Sequence, residues 1–152
     1  MNRYHKMKEY VFALLEEKSH GYYKKNSYSH MFQVETICVF LAKHRGLDPE
    51  LCAIIGMMHD LSVPLDMNTF QHAARSADLA KKLFEETALF SDEEQEIMVS
   101  AIRNHSHKER VDDGYSELLK DADVISHDFE GDALKDAELD RLMRLDEYHY
   151  HF

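Results

Sequence analysis

Apolar residues recur along this chain at three- and four-residue intervals, and no stretch alternates polar with β-branched apolar residues. That periodicity predicts helices throughout. Tyr4, Met7, Val11 and Leu14 give a first helix of about residues 2–18, ended by Lys18-Ser19-His20-Gly21. The polar, tyrosine-rich YYKKNSYS reads as a connector. From residue 30 the positions His30, Val34, Ile37 and Leu41 line one face of a second helix, which Gly46 stops. Asp48 as N-cap and Pro49 as first helical residue start a third, running to Met58-His59-Asp60 and closed off by Pro64. Thr69 is read as the cap of a fourth helix reaching Glu86, and Ser91-x-x-Glu94 as the capping box of a fifth ending near His105. A sixth covers YSELLKDADVISHDF. A last amphipathic helix spans about residues 133–148, and the HYHF end is expected to fray.

Composition narrows the class. With 152 residues, 44% of them hydrophobic, the chain can bury one core and is read as a single domain over residues 1–152. Only five glycines and two prolines accompany the helical periodicity, so the expected fold is all-α, a compact bundle of six to seven helices. A formal charge of −11 works against stable binding to a nucleic-acid backbone. Cys38 and Cys52 both sit in apolar runs, the start MNRYHKMKEY lacks an apolar signal region, and no apolar run approaches membrane-spanning length. These features predict a cytoplasmic protein with no membrane contact; they leave its oligomeric state open.

The candidate chemistry lies in the ionisable residues that interrupt the apolar faces. His59 continues the stripe of Cys52, Ile55 and Gly56, and Gly56 would let a second helix approach closely. His30 heads the stripe of the second helix, and His105 ends that of Met98, Ala101 and Ile102. His72 opens the fourth helix, and Asp123 lies one turn beyond Leu119 on the sixth. A single histidine at the end of an apolar helix is more often a hydrogen-bonded core residue than a ligand. Taken together, however, His30, His59, Asp60, His72, His105 and Asp123 would leave several polar groups unpaired inside the protein unless a cation drew them together. Imidazole and carboxylate suit Fe, Mn, Co, Ni or Zn, and the lack of a thiolate cluster argues against a structural zinc.

In this order the residues resemble the H…HD…H…H…D signature of the HD-domain metal-dependent phosphohydrolases. The local contexts are similar too: MMHD at a helix end, HAARSADLAKKLF, AIRNHS and LLKDADVI, together spanning residues 30–125. The resemblance implies that His30, His59, Asp60 and Asp123 hold one divalent transition metal, while Asp60 bridges to a second held by His72 and His105. It implies hydrolysis of a nucleotide or small phosphoester by a metal-activated hydroxide, with a small phosphorylated molecule as the partner. Asp121, about 200° around the helix from the Asp123 position, is read as solvated. Lys108, just past His105, is read as the catalytic cation, with Arg75, Ser106, His107 and His127 as further substrate contacts. Many relatives carry Ile-Gly-Lys after the HD pair, whereas Leu61-Ser62-Val63-Pro64 supplies no cation here. Two rival functions stay open: a di-iron oxygenase of the same superfamily, with Tyr28 as a gate, and a non-catalytic metal- or nucleotide-binding regulatory module.

Overall fold

The computed structural model describes residues 2–145. Within them the chain forms eight helices and no strand: α1 (Asn2–Lys18), α2 (Gly21–Arg45), α3 (Pro49–Met58), α4 (Ser62–Asp66), α5 (His72–Thr87), α6 (Asp92–Asn104), α7 (Gly114–Glu130) and α8 (Asp136–Met143). On α1 the expected Met7 and Val11 are buried, but the next buried position is Leu15, with Leu14 and Tyr4 only half-buried at the edge of the stripe. At α3, Asp48 accepts from the Glu50 and Leu51 amides with Pro49 behind it. The capping box of Ser91 and Glu94 likewise opens α6.

Three local readings change. The stretch YYKKNSYS is not a connector: α2 begins at Gly21, so those residues add two turns to its N-terminal end. Nothing in the stretch breaks a helix, and its polar character reflects exposure. Side chains tie it to α1, with Tyr28 donating to Glu16 Oε1 at 2.9 Å and packing with Phe12 and Phe32. Thr69 does not cap α5 through its side chain. The residue before that helix is Gln71 in a left-handed conformation, and the Thr69 carbonyl accepts from the His72 amide. Pro64 does not simply end α3; it sits inside the short α4, one turn beyond the break at His59 and Asp60. α8 lies within the span expected for the last helix. The remainder of that span and HYHF fall outside the described residues.

The buried helix α3 packs against α1, α2, α6 and α7. Every residue from Leu51 to Met58 is buried, which explains its near-continuous apolar sequence. Gly56 makes the tightest crossing. A Cβ there would stand 2.9 Å from the Glu35 Cα and 3.0 Å from the Cys38 Sγ, so α2 and α3 meet backbone against backbone, with the Cys38 side chain beside them. Gly56→Ala should therefore lower stability. An overpacking cost of about 1–3 kcal/mol exceeds a helix-propensity gain of about 1 kcal/mol. Urea unfolding should show a midpoint shift of that sign with an unchanged slope. Among the described residues, no helix is long and apolar enough to cross a membrane.

Candidate metal centre

The bundle brings the six ligand-type residues to one place from different elements. His30 lies on α2, His72 opens α5 and Asp123 lies on α7, while His59 and His105 are the C-caps of α3 and α6. Asp60 follows His59 in the break before α4.

Three of the four histidines are oriented by the same local device. His59 Nδ1 donates to the Gly56 carbonyl at 2.7 Å, His105 Nδ1 to the Ile102 carbonyl at 2.7 Å, and His72 Nδ1 to the Thr69 carbonyl at 3.2 Å. In each case the acceptor is a carbonyl three residues back, at a helix end or turn where it has a lone pair to spare; those of Thr69 and Ile102 also accept the amide of the same histidine. Because a carbonyl only accepts, Nδ1 carries the proton and Nε2 presents a lone pair. His30 reaches the same state through side chains. Ser126 donates its hydroxyl proton to Gln33 Oε1 at 3.0 Å, so its oxygen accepts from His30 Nδ1 at 3.0 Å.

The four Nε2 atoms then face carboxylate oxygens. His30 Nε2 stands 3.1 Å from His59 Nε2, 3.0 Å from Asp123 Oδ1 and 3.7 Å from Asp60 Oδ2. His59 Nε2 lies 3.4 Å from both Asp60 Oδ2 and Asp123 Oδ1. The other oxygen of the same carboxylate, Asp60 Oδ1, is 3.1 Å from His105 Nε2 and 3.5 Å from His72 Nε2. Lone pair facing lone pair at such distances is repulsive without a cation. Separations of about 3.0–3.4 Å are the polyhedron edges that bonds of about 2.1 Å produce. The donor set therefore fits divalent metal: among the described residues its ligand atoms fall into four overlapping groups, His30-His59-Asp60, His30-Asp123-His127, His59-His105-Asp123 and Asp60-His72-His105, with Asp60 common to the first and the last.

With no metal bound, a proton is the available cation. Burial disfavours charge on His59, but the Asp60 and Asp123 carboxylates overcome it and hold the imidazole up at about 10. Against the same burial, His59 and His105 keep Asp60 well below the usual carboxylate range, and Lys108, His30 and His59 do so for Asp123. Burial pushes His105 down. The stability of chelator-treated protein should follow. His59, raised from 6.5 to about 10, contributes stability that is complete below pH 6.5 and lost as pH climbs to about 10. His105, lowered from 6.5, contributes stability that is lost as pH falls below that value. Stripped protein should melt highest near pH 6.5. The advantage of metal-loaded protein should widen as pH climbs from there towards about 10, because the proton that metal must displace from His59 is held less and less strongly. Melting curves from pH 5 to 10, with and without chelator, measure both effects; an alkaline optimum for the stripped form would contradict the assignment.

The other sequence candidates occupy distinct positions. Lys108 is 8% exposed, and its Nζ donates to Asp123 Oδ2 at 2.8 Å and to the His105 carbonyl at 2.6 Å. It leaves Asp123 Oδ1 to face the imidazoles and is not directed at open space. The His127 ring stacks on His30 with centroids 5.1 Å apart, and its Nε2 is 3.5 Å from Asp123 Oδ1. Ser106 and His107 are exposed beyond His105, with His107 paired to Glu109. Arg75 pairs with Asp66 and donates to the Phe70 carbonyl. Tyr28 is engaged with Glu16, not with the cluster.

Asp121 is not solvated. It is 5% exposed, lying 2.8 Å from an Arg45 guanidinium nitrogen and accepting from Arg141 at 3.0 Å. Arg141, on α8, also donates to the carbonyls of Lys108 and Arg110, anchoring the loop that carries Lys108. Helical spacing cannot reveal this, because the partners come from α2 and α8. Ser126 and Gln33, which hold His30, carry no ligand-type signal in the sequence beyond the position of Ser126 three residues after Asp123.

The family model described as HD domain matches residues 27–128. Ribonuclease Y of Chlorobium luteolum is 28% identical over 109 residues, covering 72% of this chain and 19% of that protein. Ribonuclease Y of Clostridium tetani is 29% identical over 105 residues, covering 68% and 18%. The chain thus spans about a fifth of the length of these curated relatives. A solved structure from an uncultured Thermotogales bacterium, described as a predicted HD superfamily hydrolase, superposes with a TM-score of 0.65 at 21% identity over 90% of this chain and 83% of that one. That likeness concerns the fold.

Proposed function

This chain belongs to the HD-domain family, and from that premise we propose that it is a metal-dependent phosphohydrolase acting on a small phosphorylated molecule in the cytoplasm. The observation that carries the proposal is the convergence of four imidazole lone pairs and two carboxylates, with each imidazole held in the Nε2-ligating tautomer. His30, His59, Asp60 and Asp123 would hold one ion; Asp60, His72 and His105 would hold the other. Bound together, two divalent cations supply an activated water nucleophile and polarise the phosphoryl oxygens.

The chain's own residues do the rest. Lys108 keeps Asp123 ionised and turns Oδ1 towards the imidazoles. Arg141 and Lys120 hold the loop that bears Lys108, since both donate to the Arg110 carbonyl. Asp60 connects the two donor groups through its separate oxygens. His127, half buried and stacked on His30, is the candidate substrate contact that lies against the cluster.

The relatives are ribonucleases by name, and an RNA substrate is a fair rival. The net charge of −11 favours a small substrate, because little positive surface is available to neutralise a polynucleotide backbone. The deciding experiment incubates manganese-, cobalt- and iron-loaded protein, without oxygen, with small phosphoesters, nucleotides and a single-stranded RNA. Phosphate release from a small ester supports the proposal. Cleavage of RNA alone would replace it with a nuclease. Absence of phosphoester turnover, with oxygen consumed by the iron form in a parallel aerobic incubation with an organic substrate, would replace it with the oxygenase.

A further inference from the structure

A cleft of about 420 Å³, mouth included, opens against His30, His59 and Asp60. Its floor is apolar: Leu15 from α1, Met31 from α2, Met57 from α3 and Leu61 beside α4 all line it, none more than 6% exposed. Asn26 and Ser27 stand at the wall with greater exposure. Among the described residues, no lysine or arginine lines the cleft, and Lys108, engaged with Asp123, does not reach it.

This lining discriminates between substrates. A second phosphate or a carboxylate entering the cleft would lose water and meet no cation, a large penalty. Each methylene placed there would instead be removed from water against Leu15, Met31, Met57 and Leu61, a gain. Asn26 and Ser27 offer uncharged hydrogen-bonding groups to whatever projects outward. Leu15 and Asn26 lie outside residues 27–128, so the cleft is completed by parts of the chain beyond the family match.

We propose that the cleft receives the uncharged, mainly aliphatic part of the substrate, so that the protein acts on phosphomonoesters of small apolar alcohols in preference to nucleotides and bisphosphates. The inference rests on the phosphohydrolase reading. In the reaction a water oxygen bonds to phosphorus, the ester P–O bond breaks and the alcohol oxygen takes up a proton, leaving alcohol and inorganic phosphate.

The test compares propyl phosphate, glycerol 1-phosphate, propane-1,3-diol bisphosphate and adenosine 5′-monophosphate on manganese-loaded protein. All release primary alkoxide oxygens, so differences report recognition more than leaving-group chemistry. Propyl phosphate should have a kcat/KM at least tenfold above the others. Val63→Arg, which adds a cation at a half-buried lining position, should shift the ratio of bisphosphate to propyl phosphate upward by tenfold or more. A second readout needs no turnover: by calorimetry propylphosphonate should bind at least tenfold more tightly than 2-carboxyethylphosphonate. Equal or reversed preferences among hydrolysed esters would overturn the cleft assignment and leave the hydrolase standing. Selective propylphosphonate binding with no ester hydrolysed would support the cleft and remove the hydrolase. Failure to discriminate the phosphonates would overturn the cleft assignment.

Discussion

Asp60→Ala is expected to remove all bound metal, both ions of the proposed pair, and with it all detectable turnover. Asp60 is shared by the two donor groups. Its Oδ2 lies 3.4 Å from His59 Nε2, and its Oδ1 lies 3.1 Å from His105 Nε2. Without it, the His72-His105 group loses its carboxylate, the His30-His59 group keeps that of Asp123 alone, and His59 loses the carboxylate that contributes most to its raised pKa. The side chain is 31% exposed, so its truncation should leave the bundle folded, unlike changes at the fully buried histidines. Elemental analysis after manganese loading and desalting gives the stoichiometry, and circular dichroism reports the fold. The variant's melting temperature should also become indifferent to chelator, because stabilisation by a ligand of the native state vanishes with its binding. A folded Asp60→Ala protein retaining wild-type metal would rule out the assigned site.

His72→Ala should separate the two ions. Among the four imidazoles His72 is the most exposed, 34% for the side chain against 1% for His59 and His105, so the substitution carries little folding penalty. It removes one ligand from the Asp60-His72-His105 group and leaves His30, His59 and Asp123 untouched. Metal content should fall towards one per chain. Lewis-acid stabilisation of transition-state charge is worth several kcal/mol, so turnover should drop by roughly a hundredfold or more with the melting temperature nearly unchanged. Two ions retained at full strength would show that His72 is no ligand. One ion with undiminished turnover would show that the chemistry needs only the first group.

Much of this architecture is legible in the residues themselves. The spacing of Met7 and Val11, the Asp48-Pro49 start and the Ser91-Glu94 box depend on interactions within one turn of helix, and they behave as isolated segments would. The same holds for the histidine tautomers at His59, His72 and His105, each set by a carbonyl three residues back. Gly56 marks a close helix crossing because a missing side chain is itself a local fact.

Tertiary structure alone decided the rest. The exposed, polar start of α2 is held against the bundle because Tyr28 meets Glu16 and Phe12 of α1, partners that its polar composition does not reveal. Asp121 is buried because Arg45 and Arg141 arrive from α2 and α8; its helical angle relative to Asp123 carries no information about them. Lys108 meets Asp123 because the loop after α6 is held over α7 by Arg141. The apolar cleft beside His30 and His59 exists only where α1, α2, α3 and the start of α4 meet. From the chain alone come the six ligand-type residues, each placed at a helix end or on a helix face by interactions of short range. Which oxygens face which nitrogens, what neutralises the remaining charges and what fills the space alongside follow from packing between distant segments, because those energies depend on partners that sequence separation does not reveal.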